Sequence, residues 1–443
     1  MKITHLNGAC EIIQANGIKI LTDPWLVDGE YYGSWYMYPP LPNFDFDLLN
    51  DIDYIYVSHI HPDHLSKLTL EKLNKEIPVL IHKFSTPFLK INIEQLGFSV
   101  IELESNVRTH LKNDVYINII PAGYCNPIHC AKTFGCGKME TNFASTIVDT
   151  LCVIDNNEYT VLNVNDCPFP VAKFAIKSVL NSYNKIDFLI TGYTGASAYP
   201  QCFSNYSNSE KLQKAQEQKQ YYFDSGLNFI THCKPTYFML HAGTYILAGK
   251  LVNLEPYRAI NDIKDTCDKY NELQNTSTGI LLNSYESFDL VTKEQSAPYK
   301  HFTSADRDLY VNNVLRHKKY SFENDAVVED LELISLCIKS FNRFDRKRTE
   351  LKFYNETMIY IKINEYVFAK ISFNGTGIDF VKYIDDSVPY LSLSLPKKLL
   401  KRILLGPRYA HWNNAEIGSF ITYFRSPDVY EREIYYCLNY FHI

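Results

Sequence analysis

The 443-residue chain reads as a layered α/β fold with a smaller α+β unit at its C-terminal end. Three observations predict this. Short apolar runs of strand length alternate with helical stretches through residues 1–260, the pattern of strands covered by helices. Ala15-Asn16-Gly17 separates two such runs, and Asn-Gly favours the positive φ of a tight hairpin. The run Tyr54-Ile55-Tyr56-Val57 ends in Ser58-His59-Ile60-His61-Pro62-Asp63-His64, so a buried strand leaves the core directly into a polar cluster.

The elements follow in order. Residues 10–14 and 18–22 form the hairpin. Asp23-Pro24-Trp25-Leu26 then leaves the strand, because Pro24 has no N–H for the ladder. Residues 31–41 are aromatic and proline-rich and read as a loop. Residues 54–57 are a buried strand and residues 65–73 a short helix. Strands follow at 79–82 and 100–103, with a helix before the second. Further strands are expected at 115–120, 145–148, 151–154, 160–164, 188–190 and 236–240, with a polar helix over 210–226. Over residues 255–310 the character shifts to helix and polar loop. The domain boundary is placed at 260, with residues 261–443 as a helical connection and an α+β accessory domain. That domain has strands at 358–363 and 366–373 and a basic helix over 396–405.

Composition narrows the function. A formal charge of −6 gives no long-range attraction to nucleic acid or anionic membranes. The eleven cysteines include no CxxC pair, and Cys125, Cys130 and Cys136 fit no common zinc or iron–sulfur spacing. No apolar run is long enough to span a bilayer. The expectation is a cytoplasmic protein with reduced thiols, no membrane insertion and a small-molecule substrate.

Imidazole and carboxylate together suit zinc, iron or manganese. On an extended segment His59 and His61 point the same way, since side chains alternate with period two. They are placed to share one metal ion. Asp63 and His64 follow the turn and can reach a second.

With these residues the chain resembles the metallo-β-lactamase-fold superfamily, whose hallmark is this motif on a four-layer αβ/βα sandwich. The resemblance implies a third ligand on a downstream loop, a bridging Asp after a strand, and a final His at another strand end. Asp166, ending Leu162-Asn163-Val164-Asn165-Asp166, fits the bridge. His241, ending Tyr237-Phe238-Met239-Leu240-His241, fits the last position, with His232 as its competitor. The third position falls on Glu140 or on His129. The implied set is His59, His61 and Glu140 on one metal, Asp63, His64 and His241 on the other, and Asp166 between them. Asp63 and Asp166 are the expected catalytic carboxylates.

A narrower resemblance runs almost end to end. Ile20-Leu21-Thr22-Asp23-Pro24-Trp25-Leu26, Asn163-Val164-Asn165-Asp166-Cys167 and Trp412-Asn413-Asn414-Ala415-Glu416-Ile417-Gly418 are similar to segments of the hydroxylases of CMP-N-acetylneuraminate and UDP-N-acetylmuramate. Those enzymes typically carry a Rieske iron–sulfur domain, which needs paired Cys/His segments. This chain has none, so an oxygenase would need a separate electron-donor protein or electrons from its substrate. Diiron β-hydroxylases of natural-product pathways share the fold without a Rieske domain and carry Glu at the third position.

The leading expectation is a dinuclear oxygenase, with iron favoured over zinc or manganese and O2 as co-substrate. It would oxidise a small polar metabolite; a nucleotide sugar or natural-product precursor follows from the resemblance alone. The alternatives are a zinc hydrolase that acidifies bound water and a metal-binding scaffold without turnover. Trp35, Tyr193 and Tyr199 are the expected substrate-binding aromatics.

Overall fold

The computed structural model describes residues 1–41, 43–123, 137–138 and 149–443. Glu140, His129, Cys125, Cys130, Cys136 and the strand expected at residues 145–148 lie outside them.

The first strands are β1 (Lys2–Asn7), β2 (Cys10–Ala15), β3 (Ile18–Thr22), β4 (Trp35–Met37), β5 (Tyr54–Tyr56), β6 (Val79–His82), β7 (Val100–Leu103), β8 (Thr109–His110) and β9 (Tyr116–Pro121). They are followed by β10 (Gly137–Lys138), β11 (Thr150–Asp155), β12 (Thr160–Asn163), β13 (Phe188–Gly192), β14 (Tyr237–His241), β15 (Tyr245–Leu247), β16 (Thr278–Ile280), β17 (Ser287–Asp289) and β18 (Glu294–Gln295). One sheet has the order β18-β17-β1-β2-β3-β5-β6-β7, and a second the order β16-β14-β13-β12-β11-β9-β8.

The apolar pattern explains the layering. Ile18 and Ile20 of β3 point into the core between the sheets, while Leu21 points to the outer face. Both faces are apolar because both are covered. Ile3, Ile13, Ile20 and Tyr56 meet Ile117, Ile154, Phe188 and Met239 across the sheets. On the first sheet's outer face, Ile55, Val57 and Val79 pack with Leu70, Leu89 and Ile93 from α1 (Lys67–Leu70) and α2 (Phe88–Glu94). On the second's, Leu151, Leu162 and Leu189 pack with α3 (Phe169–Ser182), α4 (Asn208–Cys233) and α5 (Ile263–Leu273). The result is an αβ/βα sandwich.

Several expectations shift. The helix expected at 65–73 is the single turn α1, whose Ser66 hydroxyl accepts from Thr69 N–H at 3.1 Å. Helix α4 outruns residues 210–226 at both ends, starting from a Ser207/Glu210 capping box. The boundary at 260 falls inside the sandwich, because β16 pairs with β14 and β17 with β1. These strands are three residues each and polar-flanked, so they carry little periodicity. Residues 31–41 are not wholly loop. A turn with left-handed backbone at Tyr31 (φ 49) and Tyr32 (φ 62) leads into β4, which pairs with β15.

The C-terminal unit begins with α6 (Ser304–Asn313) and α7 (Asp330–Glu350). Its sheet comprises β19 (Met358–Asn364), β20 (Val367–Ser372), β21 (Ile378–Val381), β22 (Tyr390–Ser394) and β23 (Thr422–Ser426). Helices α8 (Lys397–Leu404), α9 (Trp412–Ile417) and α10 (Arg432–Leu438) complete it, after a short β24 (Tyr430–Glu431). The basic face of α8 is ion-paired. Lys397 meets Asp330, Lys401 meets Glu332 at 2.7 Å and Arg402 meets Asp325 at 2.6 Å. Among the described residues no helix is long and apolar enough to cross a membrane.

Candidate metal centre

Parallel strands deliver their loops to one edge of the sandwich, the usual place for a site in such sheets. Here β3 ends at Asp23, β5 at Ser58 and His59, β12 at Asp166, and β14 at His241. Two clusters form. His59, His64 and Asp166 bring ligand atoms within 4.8 Å of one another, and so do His59, His61 and Asp149.

Buried hydrogen bonds fix which ring nitrogens face the clusters. Asp23 Oδ1 accepts from Ser58 N–H at 2.7 Å, and Oδ2 accepts from Ser58 Oγ at 2.7 Å. Its Oδ2 also accepts from His64 Nδ1 at 2.9 Å. A carboxylate only accepts, so Nδ1 of His64 carries a proton toward Asp23, and Nε2 is the nitrogen that faces Asp166 at 3.2 Å and Asp63 at 3.5 Å. The Ser58 hydroxyl, having donated to Asp23, accepts from His59 Nδ1 at 2.9 Å. His59 is thereby held in the same tautomer. One buried aspartate orients two imidazoles, the usual partner logic of metal-bound histidine.

His61 is turned the other way. Its Nδ1 lies 2.9 Å from His59 Nε2, and its Nε2 lies 3.2 Å from Asn413 Oδ1. His241 has a carboxylate of its own: Glu11 Oε1 sits 3.5 Å from its Nδ1, and both side chains are fully buried. Burial alone would raise the Glu11 carboxyl, but His241 and His5 outweigh it and bring it down to about 2. His241 joins neither cluster, although its charge is among those that lower Asp166. His232 is exposed on α4, with its ring donating to Asn228 O at 2.8 Å.

The carboxylates crowd together. Burial and the neighbouring Asp166 push Asp149 up to about 6, although His61 and His64 oppose them. Burial also raises Asp63, whose Oδ1 accepts from Tyr31 OH at 2.5 Å. Asp166 is held well below the usual range because His64, then His59 and His241, overcome the cost of its burial.

Asp149 was missing from the sequence expectations. Strands predicted at 145–148 and 151–154 made it a connecting residue, whereas β11 starts at Thr150 and Asp149 directly precedes it. Thr150 Oγ1 donates to Ser58 O at 2.9 Å, tying β11 to the end of β5 and setting Asp149 beside His59. Asp23 and Glu11 were also unassigned. A lone Glu in the apolar strand Cys10-Glu11-Ile12-Ile13 was the available signal for the latter.

A cavity of about 150 Å³ opens beside Asp63 and Asp166. Thr194, Gly195, Ala196, Tyr222, Gly243 and Tyr245 contribute to its wall. The expected aromatics are not on it. Trp35 is buried behind the wall, stacked on Tyr245 with ring centroids 3.3 Å apart. Tyr193 is buried in the core under α3 and α4. Tyr199 is buried between the sandwich and the C-terminal sheet, edge-on to Phe203 and Tyr206. Large aromatics near a site are usually structural, and Tyr222 and Tyr245 take the lining positions.

The residues fit a metal pair. Among the described residues, His241 Nε2 is buried without a hydrogen-bond partner while Nδ1 faces Glu11, and His64 Nε2 faces the carboxylates of Asp166 and Asp63; a buried lone pair beside clustered carboxylates is a costly arrangement unless a cation joins them. The donors are all imidazole nitrogen and carboxylate oxygen, a set suited to zinc, iron or manganese.

Residues 2–124 match the family model of the beta-lactamase superfamily domain. A protein of Mycolicibacterium smegmatis named for a Rieske 2Fe-2S iron-sulfur centre is 28% identical over 243 residues, covering 52% of this chain and 42% of that protein. Cytidine monophosphate-N-acetylneuraminic acid hydroxylase of Asterias rubens is 24% identical over 346 residues, covering 71% of this chain and 47% of that protein. The chain thus spans about half the length of the curated relatives it matches. Among solved structures, isothiocyanate hydrolase from Delia radicum gut bacteria superposes with a TM-score of 0.44 at 13% identity, covering 65% of this chain and 99% of that one. A diiron beta-hydroxylase from Streptomyces venezuelae gives 0.40 at 17% identity, covering 63% and 52%. The matched segment runs from β1 through the His59–His64 cluster to β9 of the αβ/βα sandwich, so the similarity to the beta-lactamase superfamily domain includes the motif that supplies His59, His61, Asp63 and His64.

Proposed function

We propose that the chain is a dinuclear metal-dependent oxygenase, diiron in its favoured form, that hydroxylates a small polar metabolite. The observation that carries this reading is the carboxylate content of the site: Asp149 joins His59 and His61, and Asp166 joins His59 and His64. Anionic oxygen donors favour harder and higher-valent ions than an all-imidazole set does. The similarity to a hydroxylase over 71% of the chain supports the same direction.

When bound, an iron pair would supply the oxidising chemistry with O2. His59, His61 and Asp149 would hold one ion, with Glu140 a further donor to it. Asp63, His64 and His241 would hold the other, and Asp166 would bridge. The chain's own contribution is orientation. Asp23 keeps a proton on His64 Nδ1 and, through Ser58, one on His59 Nδ1, and the buried Tyr31 donates to Asp63 Oδ1. Tyr245, backed by Trp35, and Tyr222 shape the cavity and limit water around the reacting atoms. These 443 residues hold no paired Cys/His segments for a Rieske cluster, so electrons would come from a donor outside them.

The test is to reconstitute the protein with Fe(II) and screen polar metabolites with and without O2. Under ¹⁸O2 the reading expects one labelled oxygen in the product. Full turnover without O2 by the zinc-loaded protein would overturn it in favour of hydrolysis.

A further inference from the structure

The C-terminal unit reaches into the metal-side cluster at one point. Asn413 Oδ1 lies 3.2 Å from His61 Nε2, across 352 positions of sequence. Asn413 is not a free-standing surface residue. It sits in α9, whose Trp412 and Ala415 are buried in the C-terminal core and whose Ile417 packs on the outer core of the first sheet. Trp412 Nε1 donates to Phe441 O at 3.1 Å, and His411 caps the helix by accepting from Asn413 N–H at 3.2 Å.

The sandwich grips this helix through the left-handed turn. Tyr32 OH accepts from His411 N–H at 2.7 Å, while the adjacent Tyr31 donates to Asp63. A side chain added at Gly33 would meet Lys319 O at 3.2 Å, so the turn lies close against the segment leading into the C-terminal unit. One turn therefore ties the helix bearing Asn413 to the loop bearing His61 and Asp63.

A neutral imidazole has one N–H and one lone pair. An amide oxygen beside Nε2 draws the proton there and leaves the Nδ1 lone pair facing His59 and Asp149. His59 and His64 receive the same service from Ser58 and Asp23, but in the opposite tautomer. Among the described residues, Asn413 is the group bonded to the outward nitrogen of His61.

We propose that Asn413 is a positioning residue for His61, so that the C-terminal unit completes the metal centre. The inference rests on the metal-centre reading above. Groups in this role typically change metal affinity about 10- to 100-fold when removed.

The test measures Zn(II) affinity by competition with a chromophoric chelator, on wild type, Asn413→Ala and Asn413→Asp. Metal-free melting temperatures are recorded alongside. N413A should weaken Zn(II) by about 10- to 100-fold. N413D, which keeps an acceptor at the same atom and cannot present a donor in its place, should bind as wild type does. Wild-type affinity in N413A overturns the inference, and so does a loss in N413D equal to that in N413A, which would assign the effect to packing. If N413A also melts early, the N413D comparison still decides. Wild-type protein that binds no Zn(II) overturns the metal-centre reading itself, an outcome distinct from the other two.

Discussion

Replacing Asp23 by Asn isolates the hydrogen-bond logic of the site. Asp23 is fully buried and accepts from Ser58 N–H, Ser58 Oγ and His64 Nδ1. Its backbone is left-handed, with φ 37, a region Asn enters readily, so the substitution adds little strain. An amide offers one acceptor oxygen and one donor group. If the donor faces His64, the imidazole must shift its proton to Nε2, the atom placed for the metal. If it faces Ser58 N–H instead, two donors oppose each other in a buried site. A buried polar group left unsatisfied costs about 1–3 kcal/mol. In the first orientation the loss falls on metal affinity, where about 1.4–2.7 kcal/mol is 10- to 100-fold. In the second it falls on the metal-free fold. Chelator competition and metal-free thermal melting therefore share one total. D23N that matches wild type in both would refute the argument that Asp23 sets the tautomers of His59 and His64.

Three other outcomes follow from the same geometry. Asp149→Ala should lower bound metal from about two ions per chain toward one, with Glu140→Ala and His129→Ala measured beside it; an unchanged stoichiometry would remove Asp149 from the ligand set. Chelation should lower the melting temperature, since His241 Nε2 then loses its partner and the carboxylates around His64 lose the cation between them; metal at a hundred times its Kd contributes about 2.7 kcal/mol. Glu416 has a buried Oε1 without a partner among the described residues, and burial pushes its carboxyl up to about 7. Its folded pKa lies above the unfolded value, so its contribution is most favourable below about pH 4.5 and declines as pH rises toward 7. The decline is up to about 3 kcal/mol by linkage. Glu416→Gln should flatten that loss in melts taken from pH 5 to 8, and parallel curves for the two proteins would count against it.

The sequence made local features legible. The Asn16-Gly17 hairpin, the strand feeding His59 and the strand-end Asp166 each follow from a few adjacent residues. Features set by distant contacts were not readable. Asp149 gains its place from Thr150 bonding to Ser58 O, 92 positions away. Trp35 looked like a binding residue because it is aromatic and near the site, yet stacking on Tyr245 makes it a support. The three short strands between residues 278 and 295 are too brief for a period-two pattern, so the sandwich seemed to end early. Asn413 belongs to a segment marked in the sequence only by its resemblance to the sugar hydroxylases, and only the packing of α9 brings it to His61.

The most direct test of the central claim is the metal content of protein purified without oxygen or chelator. The account predicts about two ions per chain, iron in the favoured case, falling in His59→Ala, because His59 holds one ion and its ring also lies beside the ligand atoms of the second cluster. Protein that holds no stoichiometric metal, or that keeps its full complement without His59, would contradict it.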